Sequence, residues 1–285
     1  EIMNDFGVAL SNSDDLKRAF EILDQSLKSR RKAFGPHDLR TITSINNLAA
    51  AYWTQGNVNE VIKLMREAGD ALETTLGPDH PDTLQIRSNL AMALLRSGNS
   101  TRITEAKTLL IETLKQQEAI ITPDHPNTLA TGDRLANAEL LTGELDQSLE
   151  RFKDTLARRK KRLGNRHADT LESLNNLARA YFLAKDLANV LIHMEEAQAT
   201  SEFLLSAEHP TTMNTSNNLA TVYLAVGRSA DAAPAATGRT PPTAASGSAA
   251  PGPRPWWTAA AASTRSGPPC GPRSVPRSPR RSRPQ

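Results

Sequence analysis

Apolar positions along the chain recur at helical spacing, in two stripes separated by a glycine. Ile42, Ile45, Leu48, Ala49 and Tyr52 follow an i, i+3, i+4 pattern. After Gly56, Val58, Val61, Ile62, Met65 and Leu72 do the same. Leu145, Leu149, Phe152 and Leu156 repeat the second stripe further on. The pattern predicts pairs of amphipathic helices, A then B, joined at a short glycine turn. One such hairpin cannot bury its own apolar stripe, so neighbouring pairs must stack on it.

The pairs are copies of one unit. "FGPHDLRTI" begins at Phe34, "LGPDHPDTL" at Leu76, "ITPDHPNTL" at Ile121, "LGNRHADTL" at Leu163 and "LSAEHPTTM" at Leu205, spaced by 42, 45, 42 and 42 residues. Each is followed by a second echo: "NNLA" at Asn46, "SNLA" at Ser88, "DRLA" at Asp133, and "NNLA" at Asn175 and Asn217. A glycine comes next at Gly56, Gly98, Gly143 and Gly227, with Lys185 in the fourth copy. Glu60 and its counterpart Glu105 are 45 apart, so three extra residues lie in "GNSTRITEA". Tolerance of an insertion there predicts a turn. Ala49, Ala91, Ala136, Ala178 and Ala220 hold one position of helix A, where a small side chain lets helices approach closely.

The register divides the chain. Residues 1–33 form a partial repeat, in which Phe6 aligns with Leu48 and Asp15–Leu27 with a helix B. Repeats 1 to 4 occupy 34–75, 76–120, 121–162 and 163–204, and a truncated repeat 5 occupies 205–233. The chain thus opens partway through a helix A, and further repeats are expected upstream.

Helix pairs with "LGPDHPDTL…NLA…G" at this period closely resemble the tetratricopeptide repeats of kinesin light chains. They are also similar to arrays that follow NB-ARC or NACHT-type NTPase modules. The resemblance covers residues 1 to about 233. It implies an all-α, right-handed superhelical solenoid whose A helices line a concave peptide-binding groove. Departures fall at "HDLR" in repeat 1, Arg134 in repeat 3 and "RHAD" in repeat 4.

Composition narrows the function. The chain of 285 residues is 38% hydrophobic but only 4% aromatic, which suits a core of Leu, Ile and Ala. A single cysteine, Cys270, allows no intrachain disulfide and fits a reducing, cytoplasmic setting. No apolar run approaches the ~20 residues that span a bilayer. No nucleophile–base–orienter set recurs or converges, and neither a phosphate-binding "GxxxxGK[ST]" loop nor a helical His-x3-His pair occurs. The expectation is a non-enzymatic module with no cofactor and no metal.

The histidines illustrate the choice. His80, His125, His167 and His209 hold equivalent places in successive repeats. Stacked repeats lie ~10 Å apart, whereas zinc needs its ligands within ~2.0–2.3 Å. A helix-start role is simpler: Pro81, Pro126 and Pro210 suit the first helical position, and Asp82 and Asp169 suit the first turn. Thr41, Thr83, Thr128, Thr170 and Thr212 fall in that turn too. The basic run "RRKKR", Arg158 to Arg162, closes a helix B, where cations complement the helix dipole.

Candidate ligand contacts come from helix A. Asn47, Asn89, Asn176 and Asn218 share one position, with Arg134 in repeat 3. An amide both donates and accepts, so a row of them suits the backbone of an extended peptide. The same amides could instead tie neighbouring helices together. If the position faces the groove, helix geometry places Thr43, Ala50 and Thr54 on that face in repeat 1, and Gln85, Met92 and Arg96 in repeat 2. Repeat 3 contributes Ala130, Asn137 and Leu141, repeat 4 Glu172, Arg179 and Leu183, and repeat 5 Asn214, Thr221 and Ala225. Arg96, Arg134 and Arg179 favour a protein or peptide partner bearing acidic residues.

Beyond Gly227 the composition changes. Residues 229–285 hold eight Arg and one Asp, a net of +7 within a chain of net +3, so the remainder carries −4. They contain no Leu, Ile, Met, Phe or Tyr and are expected to be disordered. Two readings of the Pro/Ala/Arg-rich stretch 234–285 stand: a basic tail with an RNA-associating "RSPRRSR", or coding DNA read out of frame or through an intron. The leading function is a protein–protein interaction scaffold. The alternatives are the sensor array of a larger NTPase protein, and RNA binding through the tail.

Overall fold

The computed structural model describes residues 16–228. They form helices α1 (Leu16–Phe34), α2 (Leu39–Gln55), α3 (Val58–Leu76), α4 (Pro81–Arg96), α5 (Ser100–Ile120), α6 (Pro126–Leu141), α7 (Leu145–Leu163), α8 (Ala168–Leu183), α9 (Leu187–Leu205) and α10 (Pro210–Ala225). The described residues contain no strand. The expectations placed on Phe6 and on the tail after Gly227 fall outside them, apart from Arg228.

Two compact units divide the chain between Leu90 and Ala91. In the first, α1 packs on α2 and α2 on α3. In the second, α5 to α10 each pack on the next helix, and α6 also touches α8. Connections of only two to five residues force sequence neighbours to lie antiparallel. Within each unit this is the all-α, antiparallel helix-pair packing that the repeat pattern predicts.

The interior follows the two stripes. In the second unit Ala136, Phe152, Leu174, Leu177, Ala178 and Met194 belong to one buried cluster. Each large side chain buried there contributes roughly 1.5–3 kcal/mol. The column of alanines is buried from Ala49 to Ala220, consistent with helices meeting too closely there for a longer side chain.

Every connector is closed by side chains that the repeat supplies. The imidazole Nδ1 of His80, His125, His167 and His209 accepts the backbone N–H two residues on, at 3.1–3.2 Å. This satisfies a donor that a helix start leaves orphaned. In repeat 1 the register puts Asp38, not His37, at this place, and its carboxylate accepts from Arg40 N at 2.9 Å. In repeats 2 and 4 the following threonine ties the turn to the preceding helix end: Thr83 Oγ1 donates to the Gly77 carbonyl at 2.9 Å, and Thr170 Oγ1 to that of Gly164 at 2.8 Å.

One expectation is corrected. The three extra residues of repeat 2 do not lengthen a turn. Gly98 and Asn99 still make a tight junction, Asn99 caps α5 by accepting from Arg102 N at 3.1 Å, and α5 runs to 21 residues against 19 in α3 and α7. The insertion is absorbed as helix because a near-complete turn preserves the downstream stripe. The run "RRKKR" closes α7 and its members make specific contacts. Arg158 pairs with Asp154 at 2.8 Å, Lys160 with Glu196 at 2.7 Å, and Arg162 donates to the Asp124 carbonyl. Arg159 is buried, 2.7 Å from the buried Asp133.

Candidate functional site: the open face of the A helices

Burial separates the faces of each A helix. On α6, side chains at 128, 129, 131–133, 135, 136, 138 and 139 are buried, while Ala130, Arg134 and Asn137 keep partial access and Leu141 is exposed. On α8 the open stripe is Glu172, Asn176, Arg179 and Leu183; on α10 it is Asn214, Asn218, Thr221 and Ala225. In the first unit Thr43, Asn47, Ala50 and Thr54 form the same stripe on α2. Residues four apart on a helix share a face, and here that face is the one the fold leaves open.

Polar partners sort the candidates further. Among the described residues, the side-chain amides of Asn47, Asn176 and Asn218 have no hydrogen-bond partner. They are partly exposed and keep both donor and acceptor for a ligand. Arg179 Nη2 donates to Asn137 Oδ1 at 2.5 Å, joining α8 to α6 across this face. Among the described residues its Nε–H has no acceptor, and burial pushes its guanidinium below the ordinary pKa. Arg134 and Arg96 keep partial access, each with interactions of its own. Asn214 is exposed at the start of α10.

Repeat 2 departs from the pattern. Asn89 and Met92 are buried, 2% and 7% exposed, so they do not line an open face. Asn89 Oδ1 instead accepts from Gln85 Nε2 at 3.0 Å within α4. "SNLA" at Ser88 matches the other repeats, so the motif carried no warning of this.

Leu141 and Leu183, 51% and 53% exposed, end the stripe on α6 and α8 with uncovered apolar surface. In the second unit the face therefore combines amides, arginine and leucine. The described residues contain no group of three His, Cys, Asp or Glu side chains suited to hold a metal. None of their helices is long and apolar enough to cross a membrane.

Known proteins share this architecture. The tetratricopeptide repeat family model matches residues 1–74, 130–200 and 169–237, together more than half of the chain. Protein KINESIN LIGHT CHAIN-RELATED 3 of Arabidopsis thaliana is 29% identical over 119 residues, which are 41% of this chain and 18% of that protein. The chain thus spans less than a fifth of that relative's length. A Podospora anserina protein of nearly identical kinesin-light-chain TPR-like repeats aligns at a TM-score of 0.59 with 28% identity, over 70% of this chain and 92% of that one. BtubC (BKLC) of P. vanneervenii aligns at 0.65 with 21% identity, over 84% and 99%, and shares the fold. Helix pairs, capped connectors and family match agree: the chain belongs to the tetratricopeptide repeat family.

Proposed function

We propose that this protein is a non-enzymatic interaction module that holds an extended segment of a protein partner along the open faces of the A helices of its second unit. The observation that carries this reading is the pair of amides Asn176 and Asn218, at one register position of the second unit and without a hydrogen-bond partner among the described residues; Asn47 holds the same position in the first unit. An extended peptide presents alternating N–H and C=O groups, and a side-chain amide satisfies either. Recognition through the peptide backbone needs no fixed ligand sequence. Side-chain preference then comes from Arg134 and Arg179, which favour acidic residues, and from Leu141 and Leu183, which favour apolar ones. Asn137 orients Arg179 for this, and Asn214 adds a polar contact at the start of α10. The proposed setting is the cytoplasm, where Cys270 needs no partner.

A pull-down with the full chain tests this, set against an Asn47→Ala/Asn176→Ala/Asn218→Ala variant of equal helicity. Partners lost from the variant support the reading. A folded variant that keeps every partner removes it, and favours the array as a regulatory layer packed on its own NTPase module.

A further inference from the structure

One column of helix A breaks its pattern in repeat 3. The equivalent positions are Tyr52, Leu94, Glu139, Tyr181 and Tyr223. Each tyrosine wedges its ring against the B helix that precedes it. Tyr52 lies 4.8 Å, centroid to centroid, from Phe20 of α1. Tyr181 has Lys153 Nζ of α7 5.5 Å from its ring and stacks on His193 of α9. Tyr223 donates its hydroxyl to Glu195 Oε1 of α9 at 2.7 Å. In repeat 4 the ring thus sits between successive B helices, α7 and α9.

Glu139 does not fill it. Its carboxylate turns to Arg151 of α7, which donates from Nε at 3.1 Å and from Nη2 at 2.8 Å. Arg151 stands where repeat 4 has His193, so this ion pair replaces the Tyr181–His193 stack. A groove of about 500 Å³ opens between α5 and α7, with Leu114 and Leu135 among its lining residues. Its α5 wall includes Lys107 and Ile111. By register, Lys107 occupies the place of Phe20, and Ile111 that of Lys153 and Glu195. The groove is therefore lined at the positions that meet a tyrosine ring elsewhere in the array, with no ring present; Lys107 at its edge pairs with Glu144, which also lines it. Ile111 is left 49% exposed.

We propose that this groove receives an aromatic side chain from a partner protein, docked on the B-helix side in the place of the missing tyrosine. The ring lies against Ile111, Leu114 and Leu135, and the Arg151 guanidinium, fixed by Glu139, offers its face to the π-system. This site is separate from the open A-helix face and does not depend on it.

The probe is p-cresol, the tyrosine side chain alone, titrated into the full chain while methyl NMR signals of Ile111, Leu114 and Leu135 are followed. Saturable shifts with roughly millimolar affinity are expected for so small a ligand. Glu139→Tyr/Arg151→His transplants the repeat-4 pair, supplies the ring from within, and should weaken binding roughly tenfold or more. Ile111→Ala, at an exposed position, should weaken it without disturbing the fold. Cyclohexanol, of similar size but without a π-face, should bind several-fold more weakly. Absent shifts at these methyls, unchanged affinity in a folded double variant or in Ile111→Ala, or cyclohexanol binding equal to p-cresol would each overturn the proposal.

Discussion

Asp133 Oδ2 and Arg159 Nη1 lie 2.7 Å apart in the interior of the second unit, where repeat 1 places Asn46 and Leu72. The same Arg159 nitrogen donates to the Asp169 carbonyl and to Ser173 Oγ, each at 2.8 Å, so the guanidinium pins α6 and α7 to α8. Asp133 Oδ1 has no partner among the described residues. Removing one member of a buried pair strands the other charge and costs about 3–5 kcal/mol. Arg159→Leu alone, which leaves the Asp133 carboxyl buried without its cation, should therefore destabilise strongly. Asp133→Asn/Arg159→Leu, which installs the repeat-1 residues, should recover that loss and add up to about 4 kcal/mol. Urea unfolding of the three proteins checks this, and a double variant weaker than the single one would refute it.

Two groups give opposite pH slopes. Burial pushes the Asp133 carboxyl up from 3.8 to about 7, outweighing Arg159. A raised folded-state pKa contributes stability that is full below the unfolded value and is lost as pH rises through about 7. His125 behaves in the reverse sense. Burial first, and Arg162 second, hold it below 6.5. Its contribution is full above 6.5 and is lost as pH falls through the lowered value. Protonation would also remove the Nδ1 acceptor that caps α6. His125→Asn keeps a capping oxygen without titrating. Its advantage in melting temperature over the wild type should grow between about pH 7 and pH 5, and a pH-independent difference would count against the cap.

The turn between the A and B helices of repeat 4 carries a strain that the other A-to-B turns avoid with glycine. Lys185 sits at φ 59°, where Gly143 occupies the equivalent turn at φ 86°. A side chain in this left-handed region costs roughly 1–2 kcal/mol, partly offset by the lower unfolded-state entropy of a non-glycine residue. Lys185→Gly should raise stability by about 0.5–1 kcal/mol, and Gly143→Ala should lower it by about 1 kcal/mol. No neighbour lies within 4 Å of a Cβ built at Gly143, so that loss would be conformational and not steric. Thermal unfolding of each single variant measures both signs.

Much of the fold was legible because its landmarks recur. The helix boundaries, the alanine column and the histidine-capped starts all follow from aligning one connector with the next. Arg159 was missed because "RRKKR" reads locally as a run of cations that complements a helix end. The register offered the signal: Arg159 shares a column with Leu72, Gln117 and Ser201, all buried. Glu139 in the tyrosine column carried a similar signal for the B-side groove. Asn89 and Met92 offered none, since their burial depends on packing that the repeat motif does not encode.

The unpartnered amides are the point on which the account rests. A random peptide display library selected on the full chain, then rescreened against Asn47→Ala/Asn176→Ala/Asn218→Ala, measures their part directly. Each lost peptide hydrogen bond is worth about 0.5–1.5 kcal/mol, so selected peptides should weaken roughly tenfold or more while helicity and melting stay unchanged. A folded variant that binds the same peptides with unaltered affinity would contradict peptide recognition by this face.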